Sequence, residues 1–136
     1  MEIKEKYINN FFKHLTEQDK NQIYFDQYMW HVFSYKKIAA LEGEQAVAAF
    51  ETIEKKGLYI FFEHNNNLIE IDTLNFKELE YNINNKKDWE PDCYIVDKNF
   101  EWTFVFTHET NIDEGKDTNS KVVHNIYYIG PFFYKI

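Results

Sequence analysis

The sequence predicts an α+β fold in a single domain spanning residues 1–136. Its sheet is antiparallel or mixed, built from two hairpins plus a first and a last strand, with helices packed on one face. Three observations predict this. Apolar residues recur at three- and four-residue spacing at the front of the chain and again between two alternating stretches. Each alternating stretch is broken once by a short polar turn, the pattern of a hairpin. The aromatic supply is that of a packed core: thirteen Phe, ten Tyr and three Trp, with only four Gly and two Pro to punctuate them. A domain of this length buries roughly 68% of the surface its unfolded chain exposes, enough for a core without disulfides or metals.

Residues 2–19 read as an amphipathic helix, with Ile3, Tyr7, Ile8, Phe11, Phe12 and Leu15 on one stripe. The tract "YMWHVFSY" (28–35) is dense in aromatic and β-branched residues and reads as the first strand. A helix near 43–56 follows, with acids in its first turn, Lys55 and Lys56 in its last and Gly57 placed to cap it. Its inward stripe is Ala46, Val47, Phe50 and Ile53. "GLYIFFEHNNNLIEIDT" is a hairpin turning at Asn65-Asn66, which sets Phe62 opposite Ile69 and Ile60 opposite Ile71. Residues 74–84 form a short helix with Leu79 and Ile83 inward, and 84–92 a polar loop. The second hairpin, "DCYIVDKNFEWTFVFTHE", turns at Lys98-Asn99 and sets Ile95 opposite Trp102 and Cys93 opposite Phe104. Residues 111–121 read as a hydrophilic loop, and "VVHNIYYIGPFF" as a closing strand with an extended aromatic tail.

Charge narrows the functional classes. The net charge is −8, and residues 61–136 carry nearly all of it, with fourteen acids against seven Lys. Residues 1–60 hold nine acids and eight Lys. Such a field repels phosphate backbones, so nucleic acid is not an expected partner. All fifteen basic residues are Lys. Without Arg the chain lacks the usual fork for phosphate and carboxylate, which disfavours phosphoryl-transfer chemistry. No stretch approaches the ~18 apolar residues of a membrane helix, and the start "MEIKEKYINNFF" lacks the apolar centre of a signal peptide. With Cys93 as the one cysteine, these features point to a cytoplasmic protein.

No catalytic set stands out. "EWTFVFTHET" places His108 beside Glu109, but successive strand residues point to opposite faces. An extended strand therefore puts His108 on the Trp102/Phe104/Phe106 face and Glu109 on the other, and only a bend at Thr107–His108 would bring them to one site. Ile112 stands where a zinc helix of the HExxH type needs its second histidine. His31 and His124 also fall in expected strands and could approach His108, so His108, Glu109 and His31 are the weak catalytic candidates. His14 and His64 read as solvated, Ser34 and Ser120 lack nucleophile-elbow surroundings, and Cys93 falls on a packed face where thiols are inert. No metal site and no cofactor are expected. Glu78, Glu80, Asp88, Glu90 and Asp92 form an acidic rim suited to a basic protein partner. The tail aromatics Phe132 and Phe133 either tuck under the sheet or join a second copy of the chain.

The strings "MWHVFSY", "LEGEQAVAAF", "WTFVFTHE" and "GPFF" resemble a family of short bacterial proteins catalogued as domain of unknown function 4275, from about Tyr28 to the end. That resemblance places Trp30, His31, Thr107, His108, Glu109, Gly130 and Pro131 in the family's recognisable segments and implies no activity. The small, acidic, strand-paired character is also similar in style to immunity proteins that neutralise bacterial toxins. The expectation is a non-enzymatic binding module, immunity- or antitoxin-like, that uses the acidic rim. The competing expectation is a small hydrolase or metal-dependent enzyme centred on His108 with His31 or His124.

Overall fold

A computed structural model describes residues 2–114 and 121–131, with the backbone alone for 111–114 and 121–124. Its centre is one open, antiparallel six-stranded sheet in the order β1-β6-β5-β4-β2-β3. The strands are β1 (Leu41–Glu42), β2 (Leu58–Phe62), β3 (Leu68–Ile71), β4 (Cys93–Asp97), β5 (Thr103–Glu114) and β6 (Lys121–Ile129). The helices are α1 (Ile3–Phe11), α2 (Glu17–Gln22), α3 (His31–Ser34), α4 (Glu44–Thr52) and α5 (Phe76–Asn85). The expected α+β class and paired-strand sheet are both present.

The helices do not share one face, as the sequence led us to expect; they cover both. Strand alternation sorts the core into two layers. Leu58, Ile60, Phe62, Ile95, Phe104 and Tyr128 pack with Ala46, Ala49 and Phe50 of α4 and Leu79 of α5. Phe61, Tyr94, Val96, Val105 and Tyr127 pack with Tyr7 of α1, Phe12, Ile23 and the segment Met29–Phe33. The second face includes Thr103 and Thr107 among its apolar residues. Yet Thr103 is fully buried, with its hydroxyl donating to Ile95 O at 2.8 Å and accepting from the Tyr7 hydroxyl at 2.8 Å. Hydrogen-bonded in this way, a polar side chain is compatible with a core.

Several local expectations need correction. The expected helix 2–19 is two helices, because Thr16 and Asp19 form a capping box that restarts the chain: Asp19 N–H donates to Thr16 Oγ1 and Thr16 N–H to an Asp19 carboxylate oxygen. The tract 28–35 is a helical turn, not a strand. Its free N–H groups find distant acceptors, Met29 N–H on Glu63 at 2.7 Å and Trp30 N–H on the Tyr94 hydroxyl at 3.0 Å. The first strand is instead Leu41–Glu42, paired with Tyr128 and Tyr127 of β6. Gly57 does not cap α4, which ends at Thr52; it leads into β2 with φ 115°.

Both hairpins are shifted by two residues from the expected registers. Ile60 faces Ile69 and Ile95 faces Phe104. An even shift keeps the paired side chains, as far as Phe106, on their expected faces. The cause is in the turns. Asn65 accepts from Asn67 N–H, and Asp97 accepts from the N–H groups of Asn99 and Glu101 while Phe100 takes φ 58°, so both turns are wider than two residues. The stretch 111–121, expected as a loop, is partly strand, since Asn111 to Glu114 pair with His124 to Lys121. Residues 132–136, and with them the expected aromatic tail, lie outside the described residues.

Candidate functional site

The site begins with an irregularity in β5. Phe106 pairs with Ile126 and Asn111 with His124, so Thr107 to Thr110 oppose Asn125 alone. A bulge leaves main-chain groups unpaired and re-aims side chains. Here the side chains replace the ladder. Thr107 N–H donates to Thr110 Oγ1 at 3.1 Å, Thr107 Oγ1 donates to Asn125 O at 2.8 Å, and Asn125 Nδ2 donates to Glu109 O at 3.2 Å. Asn125 adopts φ 56°, a conformation asparagine tolerates.

The bulge supplies the bend at Thr107–His108, but it recruits a different carboxylate. His108 leaves the Trp102/Phe104/Phe106 face and turns to the opposite one, where its ring lies 5.0 Å from that of Tyr28 and 5.7 Å from that of Trp30. Asp92, buried at 5% exposure, holds it there. Its carboxylate accepts from His108 N–H at 3.0 Å, from His108 Nδ1 at 3.0 Å and from Trp30 Nε1 at 2.9 Å. With a carboxylate at Nδ1, that nitrogen carries a proton, and the His108 side chain is 42% exposed. Asp92 sits at φ 63° on entry to β4, a left-handed conformation that Asp adopts more readily than most residues.

Tyr28 is the hub of the exposed surface. Its ring lies within 5.5 Å of those of Trp30, His31, His64 and His108. His31 is fixed in the same way as His108, with Nδ1 donating to Ile23 O at 2.6 Å. Its ring also meets that of Tyr35 at 5.3 Å. Tyr35 is 51% exposed, and Tyr24, whose carbonyl oxygen lies 3.2 Å from His31 Nδ1, is 59% exposed. Beneath these rings, the Tyr94 hydroxyl donates to Glu63, whose carboxylate also takes Met29 N–H. Burial raises the Glu63 carboxyl above its ordinary range against the opposing pull of those hydrogen bonds, and pushes the Tyr94 phenol far up.

The sequence-selected residues divide accordingly. His31 and His108 come to one surface, joined by His64, which was expected only to be solvated. Glu109 is exposed and takes no part in orienting His108; with Glu42 it adds to the burial that pushes the Tyr127 phenol up to about 12. The His124 side chain lies outside the described residues. His14 is exposed on another part of the molecule. Of the acidic rim, Glu78 and Glu80 lie on α5, and Asp88 and Glu90 lie in the loop after it. Asp92 is not part of that rim: it is buried, and its charge faces Trp30 and His108. Among the described residues, no group of three or more His, Cys, Asp or Glu is placed to hold a metal ion. No helix among them is long and apolar enough to cross a membrane.

Sequence reasoning missed Asp92 as the partner of His108, Trp30 as the partner of Asp92, and Tyr28 altogether. One signal was available. Continuing the true β4–β5 register by one residue from Cys93 and Phe106 places Asp92 opposite Thr107, next to His108. The expected register placed it two residues away.

Comparison with known proteins adds a family and no activity. No curated protein and no solved structure matches the chain. The family model described as Domain of unknown function (DUF4275) matches residues 1–115, so the likeness includes the first helix and stops short of the closing "GPFF" string that first suggested it. The chain belongs to the DUF4275 family.

Proposed function

We propose that the protein is a non-enzymatic protein-binding module of a bacterial cytoplasm, immunity- or antitoxin-like in kind, and that it recognises a basic partner through the surface around Tyr28. The observation that carries this reading is the convergence of Tyr28, His31, Tyr35, His64 and His108 on one surface, where the imidazoles of His31 and His108 are tied from behind. Tyrosine supplies large contact area at low entropic cost and is enriched at binding hot spots. Nδ1 of His31 and Nδ1 of His108 are each committed to an internal acceptor, which leaves Nε2 as the ring nitrogen that can meet a partner. Aromatic faces suit lysine and arginine side chains. The net charge of −8 supplies long-range attraction for the same partner, with Glu78, Glu80, Asp88 and Glu90 contributing to the field.

The test is affinity isolation of the tagged protein from its own host, followed by titration of the partner so identified. Tyr28→Ala should weaken that complex by about 10-fold or more, as a hot-spot truncation does. Reversing Glu78 and Asp88 to Lys should flatten its salt dependence. A basic partner retained at full affinity by a folded Tyr28→Ala variant sinks the assignment of the surface.

The second reading is a small hydrolase in which His108 Nε2 acts as general base for water, and the Asp92–His108 pair favours it specifically. A buried carboxylate on Nδ1 orients an imidazole and stabilises its protonated form. Hydrolysis of p-nitrophenyl acetate separates the readings: turnover that His108→Ala abolishes supports the enzyme, and equal rates for the two proteins remove it.

A further inference from the structure

β3 is the last strand of the sheet. One of its edges pairs with β2, and among the described residues no backbone group bonds to the other. An open edge presents a row of N–H and C=O groups that can template another strand, and proteins usually blunt it with lysine, proline, a bulge or extreme shortness. The opposite edge, β1, is only two residues long. β3, with the sequence LIEI, has no lysine, proline or bulge; its one charge, Glu70, is paired with Lys98 at 3.4 Å, and Leu68 at its start is 47% exposed.

Concavities lie against this strand on both faces of the sheet. One, of about 310 Å³, is bounded by Ile3, Lys4, Phe61 and Leu68 on the α1 side. The other, of about 500 Å³, is bounded by Ile69, Lys86, Lys87 and Trp89 on the α5 side. Side chains of an added strand would alternate between the two. The α5-side hollow is locally cationic, since Lys86 and Lys87 outnumber Asp88 there in a chain of net charge −8.

We infer that the outer edge of β3 is a strand-addition site for an extended segment of a partner protein, apolar on one face and carrying carboxylates on the other. Main-chain bonds to β3 supply the affinity. The apolar side chains enter the hollow beside Ile3 and Phe61, and the carboxylates meet Lys86 and Lys87. This site is independent of the Tyr28 surface and selects the opposite charge.

The probe is a soluble capped peptide of alternating valine and glutamate, titrated by fluorescence polarisation and followed by residue-resolved amide exchange. Saturating peptide should slow exchange of the outward β3 amides by about 10-fold or more, as expected for ligand-linked protection. Lys86→Glu/Lys87→Glu, both exposed positions, should weaken binding by about 5- to 10-fold. Replacing glutamate by lysine in the peptide should do the same, while Tyr28→Ala leaves binding unchanged. Binding without protection of β3, or none up to about 1 mM peptide, overturns the inference. So does a doubled mass with β3 already protected in the absence of peptide, which would assign the edge to a second copy of the chain.

Discussion

Asp92→Ala is expected to destabilise the fold by about 3–5 kcal/mol. The structure supplies the components. Trp30 is 1% exposed, so its indole N–H loses its acceptor in the interior, at about 1–3 kcal/mol. The His108 main-chain N–H is part-buried and loses the same oxygen, costing about 1 kcal/mol since water can partly replace it. Alanine held at the φ of 63° adopted by Asp92 adds about 1 kcal/mol. Two companion variants separate these causes. Asp92→Gly removes the backbone cost alone and should fall about 1 kcal/mol short of the alanine loss. Asp92→Asn keeps a carbonyl oxygen and the conformational tolerance, so it should lose least, about 1–2 kcal/mol. The assay is urea unfolding at pH 7 followed by tryptophan fluorescence, with the denaturant slope compared across variants. Long-range ¹H–¹⁵N spectra of His108 should show a protonated Nδ1 in the parent protein and a mixture of tautomers in Asp92→Ala. An alanine variant within about 1 kcal/mol of the parent, with the tautomer unchanged, refutes the role given to this carboxylate.

Three further outcomes are expected. Burial raises the Glu63 carboxyl above 4.5, so the folded state holds that proton more tightly than the unfolded chain does. The associated stability is fully present below about pH 4.5 and is lost as pH rises through the folded value. Glu63→Gln should therefore gain on the parent as pH rises from 4 towards 7, and parallel pH–stability curves would disprove this. Tyr7→Phe removes the hydroxyl that donates to Thr103 and should cost about 1 kcal/mol, a fall of roughly 2–5 °C in midpoint by calorimetry; an unchanged midpoint counts against it. Cys93 is fully buried, and burial pushes its thiol far up, so a disulfide reagent at pH 8 should label it only as fast as the protein unfolds. Rapid labelling of the native protein would be the contrary result.

Much of the fold could be read from local pattern. The inward faces of β2, β4 and β5 follow from strict alternation, and they survive an error of two residues in both registers because the side-chain period is two. The stripe of α4 and the burial of Leu79 follow from helical spacing. The failures share a cause, which is that long-range partners outweighed local preference. Residues 28–35 have the composition of a strand but form a helical turn, since Glu63 and Tyr94 accept the N–H groups of Met29 and Trp30. The capping box at Thr16 was visible in the sequence, though the continuous apolar stripe masked it. The candidate site was legible only in part. His108 and His31 could be singled out by residue type, but the partner of His108 lies 16 residues away and that of the Trp30 indole 62 residues away.

The sequence by itself determined the α+β class, the acidic and arginine-free character, and which side chains of each hairpin share a face as far as Phe106. Composition and period are local properties, and they suffice for these. The tertiary structure decided that both faces of the sheet are covered, that β5 bulges at Thr107–Thr110, and that Asp92 leaves the acidic rim to hold His108 and Trp30. Those outcomes depend on which distant donors and acceptors meet in the interior. A buried polar group must find a partner wherever the chain supplies one, and no pattern along the chain specifies where that will be.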